Sequence, residues 1–193
     1  MSKFHTTDYF CWGIHPWNIE EANFKKWEKQ LGRLHQDRHF FAMGELGIDK
    51  VCKVPLEKQI ISFENQINLA VKLNIKRIII HCVKAFDEVY KIISEQKYQG
   101  TICFHQFSGN GRVFNQFNTK FKTYISIGML NLKNEKSIKK IQNIPSHRVF
   151  LETDDKKGVC IRNVYSKYAK TIAIDEEKLK IDIWNNFAEL MES

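Results

Sequence analysis

The 193-residue chain is 43% apolar and carries 30 Lys and Arg against 22 Asp and Glu, a formal charge of +8. It is long enough to bury the core of one domain, 1–193, yet short for a complete eight-unit barrel of about 250 residues. No run approaches the ~20 apolar residues of a membrane span, and MSKFHTTDYF offers no apolar stretch of signal-peptide length, so a soluble cytoplasmic protein without a membrane partner is expected.

In chain order, short apolar and β-branched runs alternate with amphipathic segments of helical length, the pattern of βαβ units around a parallel sheet. Tyr9 to Ile14 reads as the first strand. A helix over Glu20–Gln36 places Phe24, Trp27, Leu31 and Leu34 at helical spacing. A second strand runs from His39 to Leu46, and Pro55 opens a helix through Leu73, because proline is tolerated in a first turn. The third strand is Lys76–His81. The helix after it, Ala85–Glu95, gathers Phe86, Val89, Tyr90 and Ile93 on one face.

Thr101–Phe107 is the fourth strand. A turn bearing Gly109 and Gly111 leads into a short helix to about Phe121. The fifth strand, Thr123–Met129, precedes a charged helix at Asn134–Ile141, and the sixth is Arg148–Asp154. Helices at Ile161–Ile172 and Asp175–Met191 close the chain, the second with Asp175 as its cap. Six strand-helix units result, and with them the expectation of an α/β, TIM-type (β/α) barrel lacking about two of its eight units.

Glu45, His81, His105 and Asp154 each sit at or near the downstream end of one of these strands. Parallel strands point the same way, so groups at their C-terminal ends gather on one rim, where barrels build active sites. Glu45 lies between two glycines in GELGID, with Asp49 four residues on. Each of these side chains also has an ordinary reading, as a turn carboxylate, a hydrogen-bonded strand-end histidine or a turn cap. Carboxylate oxygens mixed with imidazole suit a divalent ion such as zinc, manganese or magnesium, without choosing among them. Such an ion lowers the pKa of bound water and offsets charge on a phosphoryl or carbonyl oxygen, so the expected chemistry is hydrolysis, with Asp154 as base or orienting group.

The net charge favours an anionic partner, nucleic acid above all, although a lysine-rich solvated surface has the same composition. Lys84, Arg112, Lys156, Lys157 and Arg162 follow strand ends where they could meet phosphates. Trp17, Phe86 and Phe107 could stack on bases, and Ser108 with Gly109 could bind phosphate through backbone amides. The five cysteines, Cys11, Cys52, Cys82, Cys103 and Cys160, show no two-residue spacing and are expected to be reduced, buried thiols.

Taken together, GIHPW (13–17), GELGID (44–49), IIIHC (78–82), FHQFSG (104–109), YISIG (124–128) and LETD (151–154) resemble, in order and spacing, the TatD-like metal-dependent deoxyribonucleases of the amidohydrolase superfamily. The resemblance implies a TIM barrel, one or two divalent ions and hydrolysis of DNA phosphodiesters. It matches Glu45 to a bridging and catalytic glutamate, His81 and His105 to the histidines of the second metal, Asp154 to the catalytic aspartate and metal ligand, and His15 to a pocket residue rather than a direct ligand. The family's opening strand with His-x-His finds no match here, His5 being a lone histidine upstream of GIHPW. One ion rather than two is therefore expected. Unpaired barrel edges call for a second copy or a partner chain to cover them. Hydrolysis of a small amide, ester or phosphate and a silent DNA- or protein-binding subunit stand as alternatives.

Overall fold

The computed structural model describes residues 9–192, so His5 lies outside the described residues. The chain divides into two compact units at Gly100/Thr101.

In the first unit, β1 (Phe10–Cys11), α1 (Phe24–Leu34), β2 (Phe40–Asp49), α2 (Leu56–Lys72), β3 (Arg77–Val83) and α3 (Phe86–Glu95) alternate as the sequence predicts. The strands are parallel, β1 against β2 and β2 against β3, with Phe10 opposite Phe40 and Gly47 opposite His81. Asn23 caps α1 by accepting the Lys26 amide at 3.0 Å, and the helix buries Trp27 and Leu31. Ile67 and Phe63 of α2 join Ile78 and Ile80 of β3 in the buried core.

Two buried glutamines of α2, Gln59 and Gln66, stand two helical turns apart on one face. Gln66 clamps Ile14: the Ile14 amide donates to its Oε1 at 2.8 Å and its Nε2 donates to the Ile14 carbonyl at 3.1 Å. Gln59 does the same to Asp49, at 2.7 and 3.0 Å. Buried backbone groups beyond a strand's ladder need such partners, so α2 fixes the ends of the two segments that carry GIHPW and GELGID.

The second unit repeats the plan with β4 (Thr101–His105), α4 (Gly111–Asn118), β5 (Thr123–Ile127), α5 (Glu135–Ile141), β6 (Val149–Leu151), α6 (Ile161–Thr171) and α7 (Glu176–Met191). Its strands are again parallel, with Phe104 opposite Ile125 and Ile127 opposite Leu151. Phe104, Phe114, Phe117 and Tyr124 are all buried, the Phe104 and Phe117 rings meeting edge-on at 4.8 Å. Asn186 of α7 donates to the Ser146 and Val149 carbonyls at 2.9 and 2.8 Å, tying the last helix to the start of β6.

Sequence expectations change in detail, and β1, β4, β5 and β6 all end earlier than expected. β2 continues three residues past Leu46, and short 3-10 turns form at Pro16–Asn18 and Ser146–Arg148. The five cysteines form no disulfide, but only Cys82 is buried and Cys160 is exposed. Among the described residues, no helix is long and apolar enough to cross a membrane.

Candidate metal centre

In the first unit, His15 from the loop after β1, Glu45 from β2 and His81 from β3 bring one ligand atom each to within 4.8 Å of one another. Glycine makes that approach feasible. Gly47 has φ +147°, and a Cβ there would lie 1.9 Å from the His81 carbonyl oxygen; a Cβ on Gly13 would lie 2.7 Å from the Gly44 carbonyl carbon. The Gly44–Glu45 peptide is cis.

The two imidazoles are held differently. His15 Nδ1 accepts the Trp17 amide at 3.3 Å, capping the 3-10 turn, so the neutral ring carries its proton on Nε2, which faces Glu45 Oε2 at 3.8 Å. Ligation through Nε2 would require the proton to move to Nδ1, where it would oppose the Trp17 amide. In this tautomer His15 is a donor beside Glu45.

His81 Nε2 donates to Asp49 Oδ2 at 3.2 Å, leaving Nδ1 as its lone-pair nitrogen. Asp49 is 4% exposed. Burial alone would raise its pKa, but bonds from the Trp17 indole, the Val51 amide and His81 outweigh that and hold the carboxyl below its ordinary value. The Trp17 Nε1–H and the Val51 amide each donate at 2.8 Å. An ionised carboxylate behind an imidazole is the arrangement that fixes the tautomer of metal-binding histidines and raises their basicity. Glu45 and His81 therefore fit a divalent cation.

The second unit holds a comparable pair. His105 Nδ1 donates to Glu152 Oε2 at 2.7 Å, and its Nε2 stands 3.7 Å from Asp154 Oδ1. Glu152 Oε1 accepts the Gln106 amide at 2.8 Å, while Gln106 Nε2 donates to Asp154 Oδ2 at 2.6 Å. Asp154 and Gln106 both adopt positive φ, 52° and 39°. A turn that departs from regular backbone just past each strand brings their side chains together.

Of the residues singled out from sequence, Glu45 and His81 thus meet in the first unit, with His15, and His105 and Asp154 meet in the second. Lys84, Ser108 and Arg112 lie on the exposed surface. Phe107 does not fit the stacking role: it is 1% exposed, packs 5.8 Å from Phe104 and belongs to the core. β4 stops at His105, and the chain turns inward two residues later. Glu152 and Gln106 were not singled out from sequence, and Asp49 was noted only for its place in GELGID.

The profile of the TatD related DNase family matches residues 1–192. A protein of Buchnera aphidicola described as an uncharacterized metal-dependent hydrolase is 30% identical over 170 residues, 80% of this chain and 61% of its own length. A protein of Enterocytozoon bieneusi bearing the name of a deoxyribonuclease TATDN1 homolog is 31% identical over 195 residues, 92% of this chain and 66% of its own length. The chain thus spans roughly three fifths of the length of the curated relatives it matches. Among solved structures, YJJV, a TatD homolog from Escherichia coli, superposes with a TM-score of 0.83 over 98% of this chain and 78% of its own, at 20% identity. A TatD family hydrolase from Entamoeba histolytica gives 0.80 over 94% and 74%, at 17%. The fold is the TIM-type α/β fold shared by these structures.

Proposed function

We infer the reaction from one premise: the chain belongs to the TatD related DNase family. The reading is hydrolysis of phosphodiester bonds in DNA with the help of a divalent cation. The observation that carries it is the pairing of Glu45 with a His81 ring whose tautomer Asp49 fixes for ligation. The names of the relatives, a metal-dependent hydrolase and a deoxyribonuclease homolog, support it, as does the charge of +8 against a polyanion.

A divalent ion bound there would acidify water and offset the charge that builds on the phosphoryl oxygen. Glu45 and His81 would hold it. His15 presents its Nε2–H as a donor for a phosphate oxygen. Asp154 of the second unit is, by its match to the family's aspartate, the residue proposed to accept a proton from the attacking water. The Gln106 side chain, donating to Asp154 Oδ2, keeps that carboxylate in place.

The test is release of nucleotides from end-labelled single-stranded DNA after loading with manganese, magnesium or zinc. Chelation should abolish release and metal should restore it. Asp154→Asn should lower kcat by on the order of 10²-fold or more. Release that survives chelation sinks the reading, and metal-dependent turnover confined to small esters or amides moves the substrate class.

A further inference from the structure

Resting on the nucleic-acid reading above, we propose that Trp17 is a stacking platform for an unpaired nucleobase of the substrate strand. The residue is 58% exposed, unlike the aromatic side chains that build the two cores. An exposed indole ordinarily rotates among several orientations, but this one is fixed. Its Nε1 donates at 2.8 Å to Asp49, which is almost wholly buried and held by further bonds of its own. Its ring meets those of His15 and His81 edge to face, at 4.9 and 5.7 Å, with interplanar angles of 85° and 73°. Its backbone sits in the 3-10 turn that Pro16 enters and His15 caps.

These contacts place a rigid aromatic ring beside the two imidazoles and Glu45, on a residue that is more than half exposed. A preorganised ring loses little freedom when a flat ligand lands on it, so the contact is retained as affinity. Every base has a π-face, which makes such a platform tolerant of sequence, but bases inside a duplex already have both faces covered. The structure assigns to Trp17 a preference for single strands or frayed ends over intact duplex. The carboxylate that sets the tautomer of His81 also sets the pose of the indole, so base and scissile phosphate are registered through one residue.

The experiment compares two short oligonucleotides with the same number of phosphates, one bearing thymine throughout and one abasic throughout, bound to the full chain in excess chelator. Equal phosphate number holds the counterion contribution fixed, and without metal neither strand is cut. The wild type should bind the base-bearing strand roughly 5- to 100-fold more tightly. Trp17→Ala should bring the two affinities within about twofold, whereas Trp17→Phe, which keeps a ring and loses the indole N–H, should retain most of the discrimination. Equal affinities in the wild type, no binding of either strand, or undiminished discrimination in Trp17→Ala would overturn the proposal. A collapse in Trp17→Phe as complete as in Trp17→Ala would overturn it too, by assigning the contact to the N–H rather than the face. A protein that binds bases yet hydrolyses nothing sinks the proposed reaction alone; one that hydrolyses DNA yet ignores the bases sinks the platform alone.

Discussion

Asp49→Asn tests how the first unit prepares its histidine. The carboxylate accepts three bonds: Val51 N–H at Oδ1, and Trp17 Nε1–H and His81 Nε2–H at Oδ2. An asparagine supplies one oxygen and one NH₂ in the same volume. If the oxygen stays toward Val51, the NH₂ faces two N–H donors and both bonds are lost. If it turns to Trp17 and His81, the NH₂ faces the Val51 amide. Either way at least one charge-assisted bond goes, and a donor is set against a donor in a site that is 4% exposed. The loss is about 2 kcal/mol, which in a chain of this size lowers the thermal midpoint by about 4–8 °C.

The larger effect is on His81, because both orientations remove the negative charge that raises the basicity of its Nδ1. Replacing such a partner weakens metal binding by about 10- to 100-fold. Calorimetric titration of metal-free protein with manganese or zinc reads this directly. A cycle with His81→Ala separates it from a general loss of structure: in that background, adding Asp49→Asn should cost little further metal affinity, since the ring it acts through is gone. Affinity of Asp49→Asn within about twofold of the wild type would refute the assignment of His81 as a ligand oriented through its Nε2–H.

Gly47→Ala should be among the most damaging single-methyl changes in the chain, because the new Cβ would sit 1.9 Å from the His81 carbonyl at a φ that other residues rarely adopt; more than about 4 kcal/mol, seen as insoluble or unfolded protein by circular dichroism, is expected. Asp175→Ala removes the cap of α7, whose Oδ1 accepts the Glu177 and Lys178 amides at 2.9 and 3.1 Å, and should lower stability by about 1 kcal/mol in urea titrations without changing metal affinity. Burial, then the Glu189 carboxylate that accepts its hydroxyl at 2.9 Å, pushes the Tyr124 phenol up to about 12 from 10.0. A raised folded-state pKa favours the protonated fold, so this stability is fully present below pH 10 and is lost as pH rises through 12. Tyr124→Phe should flatten that alkaline loss by about 2–3 kcal/mol, read from denaturation midpoints across the window.

Where the sequence was legible, the reason is periodicity. Trp27 and Leu31 of α1, or Val89 and Ile93 of α3, recur on one helical face because that face is buried, and each strand ends near the residue whose side chain turns from core to site. The misreadings fall where tertiary contact decides. GELGID looks like a turn because glycines break local preference, yet β2 runs through it to Asp49, since Gly47 is what permits close approach to His81. Phe107, two residues beyond a strand-end histidine, reads as aimed at the rim, but β4 ends at His105 and the ring is buried in the core.

The carboxylate partners were the hardest to see for the same reason. Asp49 acts on His81 across 32 residues, and Glu152 on His105 across 47, and no local pattern marks an acid as the orienter of a distant ring. Residue type announces a ligand, but its tautomer is decided by what lies behind it. In each unit that decision falls to a carboxylate on a different strand-end segment from the histidine it orients. The two pairs take opposite nitrogens: Asp49 engages Nε2 of His81, and Glu152 engages Nδ1 of His105. The motif that names the histidines therefore leaves open which nitrogen each presents, and only the tertiary packing of the strands supplies it.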